Sequence, residues 1–215
     1  MDLTVLFQIS YGMYVVGASD NGRPVGCVIN TFNQITSENP IVAICLNRDN
    51  YTYDVIKRTG RFSLSILSEE TNPNVIAVFG FSSSREKDKY ERFDYDVKDG
   101  LPYLRENTCG SLTCQVLSMT DMETHTVVFA RLVDTAQGEK YAPMTYSYYH
   151  KVVKGKAPKN APTYQAPAPK EAAPAKKERW VCEVCGYVYE GDLTQEPDSY
   201  RCPICGADKS RFRKE

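Results

Sequence analysis

Cys182-Glu183-Val184-Cys185-Gly186 and Cys202-Pro203-Ile204-Cys205-Gly206 are two copies of one short pattern. Each leaves two residues between its cysteines, a spacing that lets one tight turn aim both thiolates at a single point. Two such turns facing each other make a tetrahedron of four sulfurs, a donor set that suits zinc or iron. The glycine after each pair supplies the positive φ expected there, and its amide is expected to donate to a cysteine sulfur. Pro203 stiffens the second turn by fixing φ. A doubled pair at this spacing is specific, whereas a lone pair is not. Trp180, Tyr187, Tyr189, Tyr200 and Phe212 supply a small aromatic core, in a segment too short to fold on apolar burial alone.

Upstream of this segment the composition changes. Residues 154–179 are rich in Ala, Pro and Lys, as in Lys156-Ala157-Pro158-Lys159 and Ala166-Pro167-Ala168-Pro169-Lys170. With almost nothing aliphatic to bury, they read as a flexible, semi-extended tether. The chain thus divides into a body (1–153), a tether (154–179) and a metal module (180–215).

The whole chain has 215 residues, 42% of them hydrophobic, and a net charge of −1. That is enough for one sizeable core plus a small module. It gives no bulk electrostatic argument for nucleic acid or for an anionic membrane. The opening Met1-Asp2-Leu3-Thr4 lacks a basic leader, and no apolar run approaches membrane length, so a cytoplasmic protein is expected. Thiols stay reduced in that compartment, and paired cysteines there read as metal ligands before disulfides.

The body reads as mainly β. Tyr11 to Ala18 is β-prone and ends at Asp20-Asn21-Gly22, a hairpin turn signal. Arg23 to Phe32 is expected as its partner strand. Pro40 to Leu46 fits a buried strand, Tyr51 to Thr59 a short helix stopped by Gly60, and Phe62 to Leu67 alternates with period two. Asn74 to Phe79 fits a helical turn, and 82–100 a polar loop. Ser111 to Thr120 and His125 to Asp134 are two long strands. Many strands at short spacing suggest a closed barrel. No glycine-rich dinucleotide fingerprint, Walker loop or Ser/His/acid constellation is present.

Two resemblances sharpen this. The tail, from Trp180 to Phe212, resembles rubredoxin, a one-iron electron carrier. It departs from that pattern in two ways. Only 16 residues separate Cys185 from Cys202, as in the shortened rubredoxin-like domain of rubrerythrins, and Tyr200 stands where a tryptophan is common. The body resembles the flavin reductase-like FMN-binding split barrel. The matching segments, in order, are 11–16, 27–37, 47–52, Phe79-Gly80-Phe81 with Asp88-Lys89, and His125-Thr126. Before the histidine, relatives often carry Gly-Asp, and this chain has Glu123-Thr124. The two-part architecture is similar to that of the high-molecular-weight rubredoxins.

The residues suit what the resemblance implies. An FMN phosphate needs amides, a hydroxyl and a cation. Asn50, Tyr51 and Thr52 at a helix start supply the first two, and Lys89 and Arg48 the charge. The flavin ring needs donors and acceptors along its polar edge. The polar stretch Asn30, Thr31, Gln34, Thr36 and Ser37 suits that edge, and Asn47 lies in the matched segment 47–52. By resemblance, Cys45 approaches the flavin face and His125 lies on the nicotinamide side. Both are candidate catalytic residues. Cys27, Cys109 and Cys114 read as buried, inert thiols. The resemblance further implies a homodimer that passes electrons from NAD(P)H through FMN to an iron held by the four paired cysteines, and on to a flavodiiron protein or a similar acceptor. Two other readings are compatible with the residues: a carrier reduced by another reductase, and a zinc-ribbon interaction module on a barrel.

Overall fold

The computed structural model describes residues 3–153, 155 and 179–214. These fall into two compact units, one before and one after residues 156–178, and each unit is described by itself. The tether expected over 154–179 lies outside the described residues, apart from Gly155 and Arg179.

The first unit is built on seven antiparallel strands. They are β1 (Tyr14–Asp20), β2 (Arg23–Ile29), β3 (Phe32–Gln34), β4 (Ile41–Asn47), β5 (Arg61–Leu67), β8 (Thr108–Met122) and β9 (His125–Gln137), in the order β2-β1-β5-β8-β9-β4-β3. A short hairpin, β6 (Tyr95–Lys98) and β7 (Leu101–Leu104), forms a separate two-stranded sheet that is tied to β5 through Ser63 and Ser65, and the α-helices are α1 (Tyr51–Thr59), α2 (Pro73–Phe81) and α3 (Tyr146–Lys151).

The sheet order contains its own closure. β2 and β3 are the two outermost strands, yet only Asn30 and Thr31 separate them in the chain. Fully extended chain advances at most ~3.6 Å per residue. The two edges therefore lie within about three residue lengths of each other, and the sheet must curl on itself. This is why the single strand expected from Arg23 to Phe32 is two strands: at Asn30 the chain leaves one sheet edge for the other.

Period-two alternation divides the buried side chains between two cores. Val16 and Ala18 of β1, Cys27 and Ile29 of β2, Ile44 and Leu46 of β4, and Val128 and Ala130 of β9 pack with Val55 and Ile56 of α1. Burying each of the larger aliphatic side chains contributes roughly 1.5–3 kcal/mol. Val15, on the opposite face of β1, packs with Val75, Ile76 and Phe79 of α2, with Tyr90 and with Met144. β1 is thus covered on both sides. Gly17 and Gly26 are cross-strand partners, and both are glycine because Tyr90 lies over them. A methyl group on either would come within 2.7 or 2.8 Å of the Tyr90 hydroxyl.

α1 forms where the sequence suggests, with caps at both ends. Asn50 accepts the Thr52 amide at 3.0 Å, and Gly60, at φ 68°, donates to Ile56 O at 2.8 Å. The expected polar loop at 82–100 differs: it contains a 3-10 turn at Tyr90–Arg92 and the strand β6. Tyr90 and Tyr95 pack together at 5.1 Å between ring centroids, which gives this charged stretch an apolar anchor. α3 and β7, not expected from the sequence, rest on Tyr149 and on Leu101 and Leu104, all buried.

In the second unit three short strands pair in the order β11 (Val188–Glu190), β10 (Arg179–Cys182), β12 (Phe212–Lys214). Leu193, Phe212, Cys182 and Cys202 form its core, with Trp180, Tyr187, Tyr189 and Tyr200 packed around them. Tyr200 meets Tyr189 and Phe212 edge to face, at 5.6 and 6.0 Å.

Candidate metal centre and flavin site

The two cysteine turns are near copies of one another. Gly186, at φ 75°, donates to Cys182 O, and Gly206, at φ 71°, donates to Cys202 O, each at 2.8 Å. Cys182 N donates to Tyr187 O and Cys202 N to Ala207 O, again at 2.8 Å. The glycine amides therefore close the turns. The sulfurs of Cys185 and Cys205 accept instead from the Tyr187 and Ala207 amides, one residue further on. All four sulfurs lie within 4.8 Å of one another. Cys182 and Cys205 are 3.7 Å apart, and Cys185 and Cys202 3.5 Å. A tetrahedron with metal–sulfur bonds of ~2.3 Å has edges of about 3.8 Å, so the four thiolates fit a metal with little adjustment. Cys182 and Cys202 are buried, whereas Cys185 and Cys205 are exposed.

The barrel gathers polar groups at two places. The first is the start of α1. Thr52 is completely buried, and its Oγ1 has no hydrogen-bond partner among the described residues. The Cys27 thiol lies close by; burial pushes its pKa up, opposed by the Lys89 charge and by the Thr52 and Asn50 side chains. Lys89 is 3% exposed, and its Nζ donates to Gly26 O at 2.8 Å and to Phe79 O at 3.2 Å. Burial lowers its pKa, and the nearby Cys27 acts the other way. Ser84 exchanges hydrogen bonds with the Gly26 amide and carbonyl at 3.1 and 3.0 Å, so Ser84 and Lys89 together cover the edge of β2. A helix start with an orphaned buried hydroxyl and an ammonium behind it is suited to an anion such as a phosphate.

The second is the outer face of β4 and β9. Cys45 pairs with Val127, and Asn47 with His125. These side chains share the face opposite the barrel core and are half-buried. Thr31 joins them across the closure: its Oγ1 donates to Cys45 O at 3.1 Å, and Cys45 N donates to Thr31 Oγ1 at 3.3 Å. Burial raises the Cys45 pKa, and the Thr31 hydroxyl works against that rise. His125 Nδ1 is 2.8 Å from Thr124 Oγ1, whereas its Nε2 is buried and without a partner among the described residues. Burial lowers the His125 pKa.

The structure thus groups Thr31, Cys45, Asn47 and His125 on one face, and Asn50, Thr52 and Lys89 at the start of α1. The run 47–52 links the two groups. Asn30, 7% exposed, lies in the closure itself. The remaining candidates are engaged elsewhere. Arg48 donates to Glu123 O and approaches Asp121 at 3.9 Å, which ties the β8–β9 turn to the β4–α1 loop. Tyr51 donates its hydroxyl to Asp20, and the Arg23 and Arg85 guanidiniums lie 5.5 and 4.6 Å from its ring centroid. Gln34 donates to Thr36 O at 2.9 Å, Thr36 Oγ1 accepts the Ile41 amide at 2.9 Å, and Ser37 is exposed on the same turn. Two neighbours of the sites have no site role in the sequence reading: Cys27, expected there only as a buried, inert thiol, and Thr124, noted only as a departure before the histidine.

A curled antiparallel barrel with a polar helix start, paired with a tetrathiolate module, is the architecture of a flavin-dependent electron-transfer protein. The comparisons with known proteins identify it further. Residues 6–155 match the family described as flavin reductase like domain, and residues 180–213 the rubredoxin-like domain of rubrerythrin. The chain belongs to the flavin reductase family and carries a rubredoxin-like domain at its tail. It is 36% identical, with 100% of each chain covered, to the high molecular weight rubredoxin of Moorella thermoacetica. It is 35% identical to the ferric-chelate reductase (NAD(P)H) of Archaeoglobus fulgidus, covering 76% of this chain and 98% of that one. Among solved structures, a nitrilotriacetate monooxygenase component B homolog from Mycobacterium thermoresistibile is similar at 27% identity and a TM-score of 0.59, covering 66% of this chain and 78% of that one. An NADH:FAD oxidoreductase of Streptomyces globisporus, at 18% identity and a TM-score of 0.60 over 66% of this chain and 84% of that one, shares the fold.

The chain is therefore an oxidoreductase whose cofactors are a flavin in the barrel and an iron in the thiolate cage. The residues present fit both: the Thr52 hydroxyl is buried at the start of α1 with no oxygen or nitrogen partner among the described residues, and the four sulfurs already converge. Among the described residues no helix is long and apolar enough to cross a membrane.

Proposed function

We propose that this protein takes electrons from NAD(P)H, passes them through FMN to the iron of the four-cysteine cage, and delivers them singly to a partner oxidoreductase. What carries the reading is the union, in one chain, of a flavin reductase domain and four sulfurs within 4.8 Å of one another. A flavin accepts two electrons as a hydride and releases them one at a time, and a tetrathiolate iron carries one.

The chain's own residues do the holding. The Thr52 hydroxyl at the start of α1 grips the FMN phosphate, with Lys89 as the charge behind it. Thr31 and Asn47 offer polar groups to the ring, and Cys45 packs at its face. His125 presents Nε2 toward the nicotinamide side, where an imidazole can hold or exchange a proton. The thiolates of Cys182, Cys185, Cys202 and Cys205 bind the iron. Exposed Cys185 and Cys205 provide the route by which electrons leave.

The domains are 1–153 for flavin, 154–179 for the tether and 180–215 for iron. The tether keeps the iron module at a high local concentration near the flavin. The acceptor is a flavodiiron protein or an enzyme of similar chemistry, and the setting is the cytoplasm. A second copy of the barrel completes the assembly. The exposed Leu117, Met122 and Val133 of the β8–β9 hairpin support that pairing.

Anaerobic mixing of the holoprotein with NADH tests the reading. The yellow flavin absorbance should bleach first, and the red ferric-thiolate absorbance should follow within turnover times. Iron that stays oxidised while the flavin bleaches would overturn it.

A further inference from the structure

We infer that Thr124 is a positioning residue for His125, holding the imidazole in one orientation with Nε2 turned into the buried side of the site. The inference rests on the reading above that His125 serves the nicotinamide reaction.

Two observations carry it. The first is the split environment of the ring. Nδ1 is 2.8 Å from the Thr124 hydroxyl, and Nε2 is buried with no partner among the described residues. A neutral imidazole has one donor and one acceptor nitrogen, so whichever role Nδ1 takes with the hydroxyl, Nε2 takes the other.

The second is the rigidity of the turn that delivers the hydroxyl. Glu123 sits at φ 47°, in the left-handed region. Arg48 holds this conformation from two sides: its side chain donates to Glu123 O, and its amide donates to Thr124 O at 3.1 Å. Asp121, 3.9 Å from Arg48, accepts Thr126 Oγ1 at 2.6 Å. The turn is therefore fixed on both sides of Thr124, and the hydroxyl reaches the ring from an anchored backbone. The charged groups on the elements around the ring are Arg48 and Asp49 from the β4–α1 loop and Asp121 and Glu123 from the hairpin. Arg48 is engaged with Asp121 and the Glu123 carbonyl, which leaves a hydroxyl as the immediate neighbour of Nδ1. A hydroxyl serves a neutral ring, whereas a carboxylate at the same place would favour the imidazolium.

The test uses the full-length holoprotein with Thr124→Val, Thr124→Ser, Thr124→Asp and His125→Ala. The readouts are 15N shifts of the His125 ring, its titration, and the pH profile of flavin reduction by NADH. Thr124→Val should shift the ring nitrogen resonances, because Nδ1 loses its partner, and slow flavin reduction about tenfold at saturating NADH with little change in KM. Thr124→Ser should restore both within about twofold, because it keeps the hydroxyl. Thr124→Asp should move the His125 titration and the acid limb of the profile to higher pH together. If His125→Ala reduces its flavin at the unaltered rate, the role of His125 itself is wrong. If His125→Ala is slow but Thr124→Val keeps the original ring nitrogen shifts, rate and pH profile, the inference about Thr124 is wrong and the reading of His125 stands.

Discussion

Ile29 and Phe32 occupy opposite edges of the seven-stranded sheet although only Asn30 and Thr31 lie between them. The closure is a covalent shortcut, and Thr31 is its fastening, bonded to the Cys45 main chain on both the donor and the acceptor side. Thr31→Val keeps the shape and removes the hydroxyl. The flavin-free barrel should lose about 1 kcal/mol of unfolding free energy, the usual net worth of such a bond. Urea titration checks this, and an unchanged midpoint would mean the closure does not depend on that hydroxyl.

Thr52 makes the opposite prediction. Its buried Oγ1 has no oxygen or nitrogen partner among the described residues, only the weakly bonding Cys27 thiol beside it, so in the flavin-free protein it stabilises little. Thr52→Val should leave the stability of the apoprotein unchanged or raise it by ~1 kcal/mol. FMN affinity should fall by about ten- to a hundredfold, the worth of a hydrogen bond to a charged group. Apoprotein melting and flavin titration separate the two effects. A variant that binds FMN as tightly as before removes Thr52 from the phosphate site.

Lys89 serves both the fold and the site. Lys89→Met keeps the aliphatic stem but leaves Gly26 O and Phe79 O without its ammonium, which should cost about 1–3 kcal/mol in apoprotein stability. FMN retention should weaken as well, and increasingly so at low salt, where the lost charge matters most. Stability loss with intact FMN affinity would confine Lys89 to covering the edge of β2.

Asp20 gives the barrel an acid limit. The Tyr51 hydroxyl, and then the Arg58 and Arg23 charges, hold its carboxyl below the usual value of 3.8, against the opposing effect of burial. Below that value the unfolded chain takes up the proton first. The contribution is therefore complete above pH ~4 and is lost as the pH falls through the folded-state value. Asp20→Asn should flatten the fall in stability below about pH 4, measured by denaturant titration of the apoprotein. An identical acid limb would assign that limit to other carboxylates.

The metal module should fail independently of the barrel. Four thiolates share one ion, and the surrounding core has few apolar residues, so Cys202→Ser should lose the iron and the ordered fold of 179–214 together. Flavin reduction by NADH should persist while single-electron output to an external acceptor is lost. Loss of flavin reduction as well would show that the two units do not work as separate modules.

The sequence by itself determined the elements whose causes are local. The cysteine turns follow from spacing and from glycines with positive φ, and α1 follows from Asn50 and Gly60 at its ends. The long strands of the barrel follow from period-two burial. Only the tertiary structure decided what depends on distant segments meeting. It broke the expected strand at Asn30, because closing a barrel is a property of the whole sheet. It turned Arg48 and Tyr51 toward the Glu123 carbonyl and Asp20, because charged and polar side chains satisfy whatever partner the fold brings near. It left Thr52 Oγ1 and His125 Nε2 buried without an oxygen or nitrogen partner among the described residues, since burial and hydrogen bonding are settled by packing and no pattern of neighbouring residues encodes them.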